Sequence, residues 1–386
     1  MTPGARVAAA IAVLDQINAG AAAEQALTAW ARGSRFAGSK DRAAVRDHVF
    51  DVLRTKRSLG DGAGRSLMLR LARREGWDIP SLFSGDGHAP AQLTAAESSQ
   101  LDTVLDLSDA ARCDIPDWLW PLWQTNLGDQ AAAAAIAQQG RADVFLRVNR
   151  RRGTVANAIA QLERDGVIAV EHPYVTGCLR VVEHPRRVKM SSAYLDGVVE
   201  LQDAASQDAI ARTLVNANAR VLDYCAGGGG KALAIADQYE AAVFAHDIAP
   251  QRMRDLPQRA KRAGVDVALL KTQDLPAQGK FDVVFCDAPC SGSGTWRRTP
   301  DAKWRMTDGQ LKQLIQTQAE VLDRAAALVA EEGVLVYATC SILNFENDAA
   351  LAGFCQRQEG WQVDQKWQRL PDQDGDGFFL SIMSHS

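Results

Sequence analysis

The sequence lacks the features of a membrane-spanning or secreted protein. No apolar run reaches the roughly 18 residues that a transmembrane helix requires. The N-terminus also lacks the order of basic, apolar and small residues that marks a signal peptide. The cytoplasm is therefore the expected location, and no membrane partner is expected.

Patterns for metal binding and for disulfides are missing as well. The seven cysteines contain no Cys-x-x-Cys pair, and the six histidines show no ligand spacing. An odd number of cysteines spread along a long chain argues against a disulfide framework. The missing ligand pattern argues against a structural zinc site. We expect reduced thiols and no bound metal.

Positive charge is not in excess. The formal net charge is −4, so an RNA partner would need a positive surface that is local. The 386 residues, of which 47% are apolar, exceed the usual size of one hydrophobic core. They predict a folded protein of two or three domains.

The first part of the chain, 1–140, is predicted to be an all-helical domain. Val7 and Leu14 lie on one face of a helical pattern, and Ser39-Lys40-Asp41-Arg42 is typical of a helix start. Near the end of this part, three tryptophans are predicted to pack the domain against its neighbour rather than to stack on bases: Trp118, Trp120 and Trp123.

From about Asp143 the chain reads as a short strand, a basic turn and a helix. Two basic runs lie close together in this region, just before the part of the chain that carries the chemistry. Their proximity predicts contact with phosphates. The residues concerned are Arg147, Arg150, Arg151, Arg152, Arg186, Arg187 and Lys189.

Strands and helices alternate from Leu201 almost to the end. Such alternation predicts an α/β fold with a doubly wound, mostly parallel sheet. The predicted strands are 219–224, 241–246, 265–270, 282–286, 334–337 and 378–383, and the main predicted helices are 231–238 and 311–328.

Two thiols and a carboxylate follow strands of this sheet. Asp287 and Cys290 come after strand 282–286, and Cys340 comes after the next strand. Ligands of open α/β sheets bind beyond the carboxyl ends of the strands, so these side chains should face one crevice. Cytosine explains the combination, because its C5 becomes a nucleophile only after a thiolate adds to C6. Asp287 would hydrogen-bond the base. These arguments do not decide which cysteine attacks.

Basic and aromatic residues follow Cys290 closely. Together they predict a cationic edge that suits an anionic substrate with a planar ring, such as a nucleotide. They are Arg297, Arg298, Lys303, Trp304 and Arg305.

A glycine-rich turn, 227–230, follows the first strand of the sheet and precedes a helix. Its backbone can approach a ligand closely. A phosphate-binding loop would need glycine in place of Cys225 and Ser or Thr in place of Ala232, which disfavours triphosphate hydrolysis, whereas a dinucleotide site stays open. Asp247 is predicted to accept hydrogen bonds from the ribose of an adenosine-like cofactor, and Asp274 to contact the adenine amine.

Four stretches, DYCAGGGGK, DAPCSGSG, YATCS and GVVELQDAASQ, together resemble the RNA cytosine-5 methyltransferases that use S-adenosylmethionine. Among these enzymes, the sequence resembles the bacterial 16S rRNA methyltransferases of the RsmB/Sun/NOP2-like group. It implies a Rossmann-like class I methyltransferase domain at 205–386, with Cys340 as nucleophile and Cys290 as the thiol that helps to break the covalent adduct. It also implies a cofactor site formed by Cys225, Ala226, Gly227, Gly228, Gly229, Gly230, Lys231, Asp247, Arg252, Asp274 and Asp287.

The resemblance extends to the rest of the chain. The stretch GSKDRAAVRDHVFDVLR is similar to a NusB-like helical extension, and 141–204 is similar to a small α/β RNA-binding subdomain. A monomer that acts on 16S rRNA is expected. A tRNA substrate and a non-catalytic role in ribosome assembly are the alternatives, and the paired thiols disfavour a dehydrogenase.

The cofactor loop departs from the family pattern. Gly227 and Gly228 replace the usual alanine and proline, and Ala232 replaces a common threonine. The looser loop is expected to affect the affinity for the cofactor more than the type of reaction.

Overall fold

A computed structural model describes residues 1–385, and the chain separates into two compact units. The first unit contains Met1–Arg141 together with Trp296–Met306. The second unit contains Ala142–Thr295 and the chain from Thr307 onward. Helices alone build the first unit, and both sheets lie in the second.

The helices are distributed over both units. In chain order they are α1 (Pro3–Asn18), α2 (Ala23–Gly33), α3 (Ser39–Arg54), α4 (Gly64–Arg74), α5 (Ile79–Leu82), α6 (Ala95–Leu101), α7 (Asp109–Arg112), α8 (Trp120–Leu127), α9 (Ala131–Ile136), α10 (Val155–Arg164), α11 (Ser192–Leu195), α12 (Ala204–Arg212), α13 (Gly230–Gln238), α14 (Leu256–Ala263), α15 (Pro300–Arg305), α16 (Asp308–Ala326) and α17 (Asp348–Arg357).

The strands form a four-stranded and a seven-stranded sheet. In chain order they are β1 (Val144–Val148), β2 (Ile168–Glu171), β3 (Cys178–Glu183), β4 (Val199–Leu201), β5 (Arg220–Asp223), β6 (Ala242–His246), β7 (Ala268–Leu270), β8 (Phe281–Asp287), β9 (Val329–Thr339), β10 (Trp361–Arg369) and β11 (Phe378–His385).

The helical core of the first unit follows the predicted periodicity. Val7 and Leu14 of α1 are buried in one cluster with Val45 of α3. The predicted start of α3 is also confirmed, because the Asp41 carboxylate accepts a hydrogen bond from Gly38 N at 3.2 Å. Apolar spacing and a capping carboxylate therefore place these helices.

Trp123, one of the three clustered tryptophans, packs inside the first unit. Trp123 is fully buried and stacks on Trp296, with ring centroids 5.7 Å apart. Its Nε1 donates a hydrogen bond to the Ala131 carbonyl at 2.8 Å. The prediction that Trp123 packs against a neighbouring domain is therefore wrong, because its partner ring belongs to the same unit.

The predicted cationic edge after Cys290 is also wrong in its main members. Arg297 and Lys303 are buried in the first unit. The Lys303 ammonium lies 4.6 Å from the centre of the Trp304 ring, and burial lowers the pKa of Lys303 to about 8. Trp304 donates its Nε1 hydrogen to the Leu53 carbonyl at 2.6 Å. These side chains hold a returning segment in the helical core.

The seven-stranded sheet has the order β10-β11-β9-β8-β5-β6-β7. Strands β5 to β9 pair in parallel, and β11 and β10 add antiparallel strands at one end. Val221 and Leu222, successive residues of β5, lie in different core clusters, so both faces of the sheet are covered. The predicted doubly wound α/β fold is confirmed.

Two details of this sheet differ from the prediction. The expected strand 265–270 is shorter, because Gly264 ends α14 at φ +70° and Val265 N still bonds to the Ala260 carbonyl. Strand β10 is absent from the predicted strands, since its charged and amide side chains lie on an exposed edge and give no apolar run.

The four-stranded sheet has the order β2-β3-β1-β4 and is antiparallel throughout. Its strand β1 corrects the prediction for Arg147, which is buried and paired with Asp237 of α13. The Arg147 Nε also donates to Gln202 Oε1 at 2.7 Å, and burial lowers its pKa to about 10. Arg147 is therefore a structural ion-pair partner, while the neighbouring Arg150 is exposed.

Candidate active site

The parallel strands end at one cavity of the second unit. The cavity measures about 630 Å³ and lies beyond the carboxyl ends of β5, β6, β8 and β9. It is lined by Gln202, Ser206, Asp223, Tyr224, Cys225, Ala226, Gly227, Gly228, Gly230, Lys231, His246, Asp247, Ile248, Arg252, Asp287, Ala288, Pro289, Cys290, Thr317, Glu320, Val321, Arg324 and Cys340.

The glycine-rich turn uses left-handed backbone at two positions. Gly227 has φ +53° and Gly229 has φ +78°, and residues with a Cβ rarely adopt these backbone conformations. Gly227 N donates a hydrogen bond to Asp247 Oδ2 at 2.9 Å. The turn thereby brings β5 and β6 to one side of the cavity.

Gly229→Ala is expected to lower the free energy of unfolding by about 1–3 kcal/mol. A Cβ at Gly229 would lie 2.3 Å from Leu256 Cδ1, and Leu256 is fully buried. The matched control is Gly230→Ala, because a Cβ there meets nothing within 4 Å. Urea unfolding of both variants measures the difference. Equal stability of the two would contradict this account of the turn.

Asp247 has the position predicted for a ribose-binding carboxylate. Besides Gly227 N, its oxygens accept hydrogen bonds from Ala249 N at 2.9 Å and from Arg252 Nη1 at 3.1 Å. The Arg252 side chain is largely exposed, so this partner can move when a ligand enters. Both residues line the cavity.

Asp223 is a site residue that the sequence patterns did not single out. It is buried at the end of β5, and its Oδ2 accepts a hydrogen bond from Ala232 N at 3.0 Å. Its Oδ1 has no partner within residues 1–385, and burial raises its pKa to about 7. A buried, unsatisfied carboxylate oxygen at the cavity suits a ligand that brings a hydrogen-bond donor or a positive charge. The sequence feature that could have marked Asp223 as a site residue is its position at the carboxyl end of the first strand of the sheet.

Lys231 and Asp287 form an ion pair, and both residues line the cavity. The Lys231 Nζ lies 2.5 Å from Asp287 Oδ2. Burial acts to lower the pKa of Lys231, but the adjacent Asp287 carboxylate raises it above its ordinary value. Lys231 therefore places a fixed positive charge beside the thiols.

The two predicted thiols lie side by side. The Sγ atoms of Cys290 and Cys340 are 3.4 Å apart, although 50 positions separate them in the chain. The hydrogen bond between the two sulfurs lowers the pKa of Cys340, and Lys231 acts in the same direction. The same hydrogen bond, together with burial, raises the pKa of Cys290 well above its ordinary value. The two shifts make Cys340 the more acidic thiol of the pair.

A buried carboxylate joins the two loops that carry these cysteines. Glu346 is 0% exposed, and its oxygens accept hydrogen bonds from the hydroxyls of Ser291 and Ser341, each at 2.5 Å. Ser291 N and Gln318 Nε2 also donate to it, at 2.8 Å and 3.0 Å. Because Ser291 follows Cys290 and Ser341 follows Cys340, Glu346 fixes both loops. No sequence pattern had marked Glu346 as a site residue.

The structure brings most of the predicted site residues to this cavity. Gly229 and Asp274 are not among its lining residues. Gly229 instead precedes α13, and the Asp274 carboxylate accepts a hydrogen bond from Lys271 N at 3.2 Å. A role for Asp274 in binding adenine stays a prediction.

Neither a membrane span nor a metal cluster is found within residues 1–385. No helix there is both long enough and apolar enough to cross a membrane. Within the same residues, no three His, Cys, Asp or Glu side chains group in a way that could hold a metal ion.

Comparisons with known proteins identify a family. The model of the 16S rRNA methyltransferase RsmB/F family matches residues 211–383, and that of the ferredoxin-like domain of RsmF/B-like methyltransferases matches residues 115–189. Ribosomal RNA small subunit methyltransferase B from Salmonella arizonae is 35% identical over 299 residues, which are 73% of this chain and 69% of that protein.

Solved structures share the fold. The crystal structure of PH0851 aligns with a TM-score of 0.78 at 21% identity, covering 100% of this chain and 99% of that one. NSun6 from Pyrococcus horikoshii, solved with SFG, aligns with a TM-score of 0.61 at 17% identity over 70% of this chain and 98% of its own. The resemblance seen in the sequence is confirmed, and the chain belongs to the 16S rRNA methyltransferase RsmB/F family.

Proposed function

We propose that the chain transfers a methyl group from S-adenosylmethionine to C5 of a cytosine in 16S rRNA. The observation that carries this proposal is the pair of Sγ atoms 3.4 Å apart at the cavity that the glycine-rich turn also lines. A pyrimidine placed against this pair would meet both sulfur atoms at once. Membership of the family supports the choice of cofactor and RNA.

In this proposal, Cys340 is the nucleophile. Its thiolate adds to C6 of the cytosine, the C5–C6 double bond opens, and C5 becomes a carbon nucleophile. Asp287 hydrogen-bonds the base and helps it to accept charge. After methylation, Cys290 loses its own proton to solvent and, as a thiolate, removes the proton from C5. The double bond re-forms, and the bond between C6 and sulfur breaks so that Cys340 leaves as a thiolate.

The cavity residues fit the cofactor. Asp247 would hold the ribose hydroxyls, and the unsatisfied oxygen of Asp223 would accept a hydrogen bond from the amino group. Gly227 and Gly228 present backbone at the same wall. S-adenosylmethionine, when bound, supplies the electrophilic methyl group. The protein would orient it through Asp247 and Asp223, and the lowered pKa of Cys340 favours the thiolate that the reaction needs.

The remaining domains would hold the RNA. We propose a helical domain at 1–140, an RNA-binding subdomain at 141–204 and the methyltransferase domain at 205–386. The exposed side chains of Arg150, Arg187 and Lys189 support phosphate contact by the middle domain.

The direct test is methylation of purified, unmodified 16S rRNA with labelled S-adenosylmethionine, followed by nucleoside analysis. We expect 5-methylcytidine as the labelled product. The same assay on tRNA is the substrate control, and calorimetry with S-adenosylmethionine tests binding without chemistry. Label in another nucleoside would contradict the proposed reaction, label in tRNA alone would contradict the proposed RNA, and absence of cofactor binding would indicate a non-catalytic factor.

Glu346→Gln is expected to lower kcat by about 10- to 100-fold, with little change in KM for the cofactor. The amide cannot accept both serine hydroxyls with the strength of a carboxylate, so Cys290 and Cys340 lose their fixed separation. Initial rates of methyl transfer per folded protein measure the effect. The rate of Cys340 alkylation against pH should show a raised thiol pKa.

One control variant and one double variant test this interpretation of Glu346→Gln. Glu332→Gln removes an exposed carboxylate from β9 and should behave as the wild type. The double variant Ser291→Ala/Ser341→Ala should reproduce the Glu346→Gln defect without changing Glu346. If Glu346→Gln kept the wild-type kcat and alkylation profile, Glu346 would not position the thiols.

A further inference from the structure

An open, basic groove lies on the first unit, outside the candidate active site. It measures about 670 Å³ and is formed by α2, the turn after it and α3. We call it the arginine groove and define it by its lining residues: Glu24, Leu27, Thr28, Trp30, Ala31, Arg32, Arg35, Arg42 and Arg46. Four arginines and one glutamate leave a local excess of positive charge in a chain whose net charge is −4.

The arginines of the groove differ in how far they are already engaged. Arg46 pairs with both oxygens of Glu24, at 2.5 Å and 2.6 Å, and Arg42 Nε donates to the Ala37 carbonyl at 3.0 Å. Arg32 and Arg35 are exposed and have no hydrogen bond or ion pair within residues 1–385. Two guanidinium groups are therefore available to a ligand. Guanidinium forks match phosphate oxygens better than they match water.

Aromatic rings accompany these free charges. Trp30 is half-buried and lines the groove, and Phe36 follows Arg35 directly with 75% of its surface exposed. The exposed Phe36 ring therefore offers an apolar surface next to Arg35. Exposed rings beside arginines form the arrangement on which unstacked bases lie while phosphates are neutralised.

We propose that the arginine groove binds a single-stranded stretch of RNA, with phosphates at Arg32 and Arg35 and a base stacked on Phe36. The inference rests on the proposed function in one respect, namely that the substrate is an RNA. It gives the helical unit a task of its own, holding a flanking unpaired segment of the substrate. Charge alone would suit a duplex equally well. The exposed ring selects a single strand, whose bases are free to stack.

The test measures binding of a fluorescein-labelled single-stranded RNA of about 12 nucleotides, a length comparable to known single-strand sites. Fluorescence anisotropy of the full-length protein is recorded at several salt concentrations. Removing two phosphate contacts in Arg32→Gln/Arg35→Gln should make the plot of log K against log salt shallower by about 1.4. Phe36→Ala should weaken binding of the single strand by about fivefold or more and leave binding of a duplex of equal length nearly unchanged.

The matched control is Arg73→Gln/Arg74→Gln, which removes two exposed arginines of the same unit that do not line the groove. It should retain the wild-type salt slope, and thermal unfolding should show that all variants remain folded. Wild-type slope and affinity in Arg32→Gln/Arg35→Gln would overturn the proposal. If the wild type bound an acidic peptide, and Arg32→Gln/Arg35→Gln lost that binding but still bound RNA normally, the groove would be a site for a protein partner and the proposal would be overturned.

The outcome is separable from that of the proposed function. Methyl transfer is measured on the wild type with labelled S-adenosylmethionine, whereas the groove is judged by RNA binding without cofactor. A wild type that shows no methyl transfer, but whose salt slope falls in Arg32→Gln/Arg35→Gln, would refute the reaction and keep the groove.

Discussion

Cys340→Ala should reduce methyl transfer by about four orders of magnitude or more, because the proposed reaction has no route that avoids the covalent adduct. Cys340 is the cysteine whose pKa is lowered, through the hydrogen bond it shares with Cys290 and the charge of Lys231. In the proposed reaction, alanine would remove the nucleophile and leave C5 of the cytosine unactivated. Initial rates with labelled S-adenosylmethionine and 16S rRNA measure the loss.

The control for this variant is Cys355→Ala. Cys355 is a free cysteine of α17 that does not line the cavity, and its replacement should leave the rate nearly unchanged. Calorimetry should show that Cys340→Ala still binds the cofactor, since the glycine-rich turn and Asp247 are intact. Turnover of Cys340→Ala near the wild-type rate would refute the thiol mechanism.

The features that could be predicted from the sequence depend on regular spacing. Apolar runs placed β5, β6, β8 and β9, because buried parallel strands are almost continuously apolar. Once β8 and β9 are neighbours, residues directly after them must share one end of the sheet. The meeting of Cys290 with Cys340 follows from this topology, and the 3.4 Å distance agrees with it.

Features that depend on tertiary contacts could not be predicted in this way. The sequence around Arg147 predicts a basic turn that contacts phosphates, yet the buried partner of Arg147, Asp237, lies 90 positions away. Glu346 looks like any surface glutamate until the serines of two other loops close around it. The segment Trp296–Met306 follows the Cys290 loop in the chain and still joins the helical core, because the Trp123 ring packs against Trp296.

Cys290→Ala should block turnover and, in contrast to Cys340→Ala, accumulate protein joined to RNA. In the free protein, the hydrogen bond with Cys340 is the first cause of the raised pKa of Cys290, followed by burial. In the proposed reaction, the Cys340 sulfur is bonded to C6 at this stage and no longer carries a negative charge beside Cys290. Cys290, once it has lost its own proton to solvent, is then the base that takes the proton from C5. Without this base, methylation proceeds once and elimination stalls.

The trapped species should run as one protein per RNA on a denaturing gel, while steady-state turnover falls by about 100-fold or more. The double variant Cys290→Ala/Cys340→Ala should form no such species, because the bonding sulfur is gone. An adduct that survived in the double variant would come from another residue. If Cys340→Ala formed the adduct and Cys290→Ala did not, Cys290 would be the nucleophile and Cys340 the base that releases the RNA. Both single variants retain Lys231 and Glu346, so they differ only in which sulfur is missing. The sulfur that remains in the variant with the trapped RNA is the nucleophile, and the missing sulfur is the one needed to release the RNA.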